Sequence, residues 1–139
     1  MNLEERIKVC RKYVEKAYMA LQAGNPDEMA NTATELAMQM YGLAGEIADL
    51  QFDADTLESV YKNKTAQAFS EFKDSGLTDK LSDSKARLKW AEMKDQHIKK
   101  NRDYKLAKLT HDDLGNLVDV LRTNISIKKV EIQNIRSQV

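Results

Sequence analysis

Nine apolar side chains at heptad spacing constrain this chain more than any other feature. Met29, Ala33, Leu36, Met40, Leu43, Ile47, Leu50, Ala54 and Leu57 follow one another at alternating steps of four and three residues. That is the period of a helix that packs lengthwise against another. The stripe thins through Tyr61, Lys64 and Ala68, and no proline breaks it. It predicts an all-α fold, an elongated antiparallel helical hairpin or coiled-coil bundle of three to four helices. It specifies a surface for a neighbouring helix and no reaction.

Turn residues are correspondingly scarce. The 139 residues include five glycines and one proline, Pro26, so few, long elements are expected within one domain spanning 1–139. No segment alternates β-branched or aromatic residues with polar ones between turn signals, which argues against strands. The formal net charge is zero, which excludes a protein that coats nucleic acid by bulk charge. The lone cysteine, Cys10, rules out an internal disulfide, and its apolar helical face predicts a buried thiol. Met1 to Arg11 is mixed and charged, without the apolar core of a leader. No stretch reaches the roughly 18 apolar residues of a membrane span. The expectation is a cytoplasmic chain without membrane contact.

Local signals place the helix ends. Leu3, Ile7, Cys10, Val14, Ala17 and Leu21 form the stripe of a first helix over 3–23. Gly24 suits the left-handed residue after a helix, Asn25 the next cap, and Pro26 the first helical position. The tight turn predicts that the first two helices are antiparallel neighbours. The second helix is expected over 26–73, with Gly42 and Gly45 as sites of close approach or bending, and ends at Asp74-Ser75-Gly76. A third helix is expected over 78–109 from a Thr78 cap. The fourth, over 111–137, carries Leu114, Leu117, Leu121, Ile125, Lys128, Ile132 and Ile135. Thr110 followed by His111, Asp112 and Asp113 resembles a helix start, yet neither Pro nor Gly precedes it, which favours continuity there.

Charge is unevenly distributed. Residues 25–76 hold ten acidic and three basic side chains, whereas residues 79–108 hold ten basic and five acidic. Antiparallel packing of an acidic on a basic helix would bring opposite fields together and set orientation.

Three chemical readings follow. The first is an interaction protein without catalytic, cofactor or metal residues, which associates with itself or a protein partner through Met29, Leu36, Met40, Leu43, Ile47, Leu50 and Leu57. The uncovered part of that stripe is expected toward Leu50 and Leu57. The alternative is nucleic-acid binding by the basic helix. Lys85, Arg87, Lys89, Lys94, Lys99, Lys100, Arg102 and Lys105 would meet phosphates while Trp90 and Tyr104 stack on bases. The second alternative rests on Glu46 and Asp49 at i and i+3 in Gly42-Leu43-Ala44-Gly45-Glu46-Ile47-Ala48-Asp49. This segment is similar to part of the magnesium-binding pattern of MazG-type all-α nucleotide pyrophosphohydrolases. The preceding Glu-x-x-Glu of that pattern is missing.

The run Tyr61-Lys62-Asn63-Lys64-Thr65-Ala66-Gln67-Ala68, then Gly76-Leu77-Thr78-Asp79-Lys80-Leu81 and the tail from Lys85-Ala86-Arg87 to Ile135, resembles a group of small helical bacteriophage proteins. Those accompany recombination or replication genes. The likeness spans residues 50–139 and contains no diagnostic motif, so it transfers no functional residue. It implies an accessory role in phage DNA metabolism or in countering a host system.

Overall fold

The computed structural model describes residues 1–138. It is an all-α helical bundle of four helices: α1 (Leu3–Ala23), α2 (Pro26–Asp74), α3 (Asp79–Lys89) and α4 (Ala91–Ser137). Among the described residues there is no strand. Contacts divide the chain into two compact units where the sequence offered one domain. Unit 1 combines Met1–Ile47 with the stretch from Leu106 onward, and unit 2 is Ala48–Lys105. Helices α2 and α4 each contribute to both.

Unit 1 begins with a capping box. The Glu5 N–H donates to Asn2 Oδ1 at 2.9 Å and the Asn2 N–H donates to Glu5 Oε2 at 3.1 Å, which satisfies two backbone donors that a helix start leaves free. Gly24 ends α1 at φ 68°, a left-handed conformation that costs glycine nothing. Asn25 Oδ1 then accepts from the Asp27 and Glu28 N–H groups and starts α2. The turn makes α1 and α2 antiparallel, as the ion pairs record: Lys16 reaches Glu35, and the earlier Arg6 reaches the later Glu46. Lys128 of α4 lies against Gly24, while Gly115 lies close to Met40. So α4 runs antiparallel to α2 and parallel to α1. The core of unit 1 is Ile7, Cys10, Ala17, Ala20, Met29, Ala33, Leu36, Leu43, Ala107, Leu114, Val118 and Leu121.

Unit 2 is built differently. Its fully buried side chains among the described residues are all small: Ala54, Ala68, Ser82 and Ala86. Tyr61, Phe69, Phe72 and Trp90 are half-buried around them. Lys94 of α4 lies over the Tyr61 ring and Lys100 pairs with Asp53, so α2 and α4 are antiparallel here too. The short α3 packs against the last part of α2. Asp79 pairs with Lys73, Lys85 lies over Phe72, and Lys89 approaches Glu71.

One helix boundary differs from the favoured reading. The helix expected over 78–109 is split at Trp90, which has φ −113° and ψ 20° and caps α3. Trp90 stands where the contacts with α2 pass from α3 to α4: Lys64 lies over its ring, and Lys94 just beyond it lies over Tyr61. At Thr110, where the sequence favours continuity, the chain runs on and Ala91–Ser137 is one helix. Thr110 does not cap; its hydroxyl donates to the Leu106 carbonyl at 2.8 Å within the continuous helix.

Candidate interaction surface

A groove of about 720 Å³ lies between α1 and α4 in unit 1. Ile7, Val14 and Tyr18 line one wall; Leu109, Leu117 and Val120 line the other. The walls arise because α4 carries two apolar stripes. Ala107, Leu114, Val118 and Leu121 face the core, whereas Leu106, Leu109, Leu117 and Val120 lie beside them on the groove face. Tyr18 is 57% exposed and Leu109 is 59% exposed, so the groove is apolar and unfilled. Arg11, Glu15 and Asp113 stand along it, and none of the three makes an ion pair among the described residues. A groove of about 810 Å³ between α2 and α4 is larger, but His111, Asp112, Asp119 and Arg122 make its α4 wall polar.

The C-terminal part of α4 forms a second unpartnered surface. Lys128 is the last half-buried residue, and every residue over 129–138 is exposed. The helix continues past the α1–α2 turn, which meets α4 at Lys128. Ile127, Val130, Ile132 and Ile135 are all exposed along this overhang. The overhang also carries Lys128, Lys129, Glu131 and Arg136; Lys128 and Glu131 pair with each other at 3.3 Å.

The stripe expected to meet a partner lies elsewhere. Met29, Leu36 and Leu43 are fully buried in unit 1, where α1 and α4 of the same chain cover them. Met40 and Ile47 are half-buried in unit 1, as are Leu50 and Leu57 in unit 2. Toward Leu50 and Leu57 the stripe is covered in part. A heptad pattern reports that a helix seeks a neighbour, and here the neighbour at Met29, Leu36 and Leu43 is internal. The groove leaves no signature in the sequence, since its walls come from two helices far apart in the chain, each with only part of an apolar stripe.

The basic residues are largely engaged within unit 2. Arg87 pairs with Asp83, Lys89 with Glu71 and Lys100 with Asp53. Lys85 lies over Phe72 and Lys94 over Tyr61. Lys64 and Lys89 lie 5.6 and 5.9 Å from the Trp90 ring centre, so the indole that was to stack on a base is flanked by the chain's own lysines. Its Nε1 is buried without a hydrogen-bond partner. Tyr104 is half-buried; Lys99, Arg102 and Lys105 are exposed and step around α4 rather than along one line.

Glu46 does not converge with Asp49. The Arg6 Nε–H donates to Glu46 Oε1 at 2.7 Å, and Asp49 is exposed. Gly42 makes room for this pair, since a Cβ there would run into the Arg6 guanidinium. Cys10 lies in the same region. Burial pushes its thiol pKa up, the Arg6 charge draws it down, and the Glu46 charge raises it. Among the described residues no three His, Cys, Asp or Glu side chains come together as metal ligands do. No helix there is long and apolar enough to cross a membrane. Comparison with protein-family models, curated proteins and solved structures finds no match to this chain.

Proposed function

We propose that this chain is a non-enzymatic helical interaction protein that acts by self-association and protein binding through the α1/α4 face of unit 1. The observation that carries this reading is the unfilled groove walled by Ile7, Val14, Tyr18, Leu109, Leu117 and Val120. Two apolar helix faces at a shared angle form the receptor half of a helix-in-groove contact. Contiguous exposed apolar surface of this kind marks interaction sites. The resemblance to small helical phage proteins implies an adaptor serving DNA metabolism or interfering with host defence.

Sedimentation equilibrium at high concentration tests the reading. The expected result is a species of about twice the 15.9 kDa of one chain. A strict monomer would overturn self-association. Substituting Leu109 and Val120 by Asp should abolish the larger species without loss of helicity, because both side chains are exposed.

A further inference from the structure

We infer, on the basis of the self-association proposed above, that the occupant of the α1/α4 groove is the α4 overhang of a second copy of this chain. Four observations on the overhang and groove support this occupant.

The first is composition. Exposed helix positions are best served by strong helix formers such as Ala, Glu, Lys and Gln. The overhang instead exposes Ile127, Val130, Ile132 and Ile135, β-branched residues that lose rotamer freedom in a helix. Their placement is explained by contact with another surface, for β-branched residues are favoured in helix–helix seams.

The second is length. From Ile127 to Ile135 the helix covers about 12 Å, and the groove from Leu106 to Val120 covers about 21 Å. The segment fits within the groove with its ends enclosed.

The third is charge. At helical spacing Lys128 and Glu131 fall within the apolar face of the overhang, whereas Lys129 and Arg136 fall on its opposite side. Lys128 and Glu131 pair with each other at 3.3 Å. The face that enters the groove therefore carries its two charges as a neutral pair, and the unbalanced cations stay on the side turned to water.

The fourth is closure. Groove and overhang lie on the same helix, in the order groove then overhang. Two antiparallel copies of α4 related by a two-fold axis near Leu121 and Arg122 place Val130 of one copy over Asp113 of the other. The same operation places Asp113 of the first under Val130 of the second. Both grooves are filled and both overhangs seated, so the assembly stops at two copies rather than growing into a filament.

The test uses the full chain. In a C10A background, which removes the native thiol, the pair D113C/V130C should form a disulfide-linked dimer under mild oxidation. The two positions are about 25 Å apart along one helix, so a bond within one chain is impossible. V130C alone should form none; a dimer from V130C alone would mean that overhangs pair with each other and would overturn groove seating. The variant I132D/I135D should halve the sedimenting mass while retaining its helical circular dichroism, since both side chains are exposed. If wild type is dimeric, I132D/I135D remains dimeric and the cysteine pair does not cross-link, then the overhang is not the occupant, although self-association stands. A wild type that is monomeric at high concentration overturns both readings.

Discussion

Around Arg6 one glycine, one ion pair and one thiol depend on each other. Gly42 leaves the space through which Arg6 reaches Glu46. In G42A the added methyl meets the guanidinium, the movable end of the Arg6 side chain, and displacing it from Glu46 should cancel most of the roughly 1 kcal/mol that alanine gains in a helix, as urea unfolding reads it. In an R6A background the same change should be neutral or stabilise by up to about 1 kcal/mol, because alanine is the better helix former and nothing obstructs it. The double-mutant cycle separates this coupling from helix propensity. Cys10 offers a second reading of the same region. Its buried thiol has a raised pKa in the folded chain, so the unfolded chain ionises first as pH rises past about 8.5. Cys10 therefore favours folding fully below that pH and progressively less above it. Comparison of C10A with wild type should show a stability difference that changes on the alkaline side and is flat below neutrality. Native Cys10 should also react slowly with a thiol reagent and become fast on unfolding.

At the scale of the helix, the useful contrast lies between two leucines of similar sequence appearance. Leu36 is fully buried, and L36A should cost about 2–5 kcal/mol through lost burial and the cavity left behind. Leu109 is exposed, and L109A should change the stability of the isolated chain by less than about 0.5 kcal/mol. Chemical denaturation at low protein concentration checks both. In sequence each belongs to an apolar series at helical spacing, and only the placement of neighbouring helices tells them apart. What the sequence made legible was local chemistry: Gly24, Asn25 and Pro26 mark the first turn, Thr78 marks the start of α3, and the unbroken stripe marks the length of α2. The stop at Trp90 was not legible, since neither proline nor glycine signals it. Its surroundings are tertiary, with Lys64 of α2 over the Trp90 ring. Thr110 shows the converse: a residue with the chemistry of a cap serves the helix interior when its hydroxyl bonds the carbonyl four residues back. The groove was illegible for the same reason as the Trp90 bend, because its two walls belong to helices separated by most of the chain.

For the molecule as a whole, the two units differ in what holds them. Unit 1 buries Met29, Leu36, Leu43, Leu114 and Leu121, whereas the fully buried residues of unit 2 are three alanines and a serine. Burial of a large aliphatic side chain contributes about 1.5–3 kcal/mol, and of a methyl group much less. Unit 2 should therefore open first. Amide hydrogen exchange should be faster at the described residues of α3 than at the buried turns of α2 around Leu36, and equal protection in the two places would contradict this ranking. Unit 1, in turn, is assembled from two stretches that the whole of unit 2 separates. During synthesis the ribosome delivers the α1–α2 turn first and Leu114, Val118 and Leu121 last. Until those three emerge, the faces of Met29, Leu36 and Leu43 that they cover have no lid, and a nascent chain ending near Lys105 presents them to water or to a chaperone. Between the emergence of Leu43 and that of Leu121, which are 78 residues apart, these faces therefore stay uncovered.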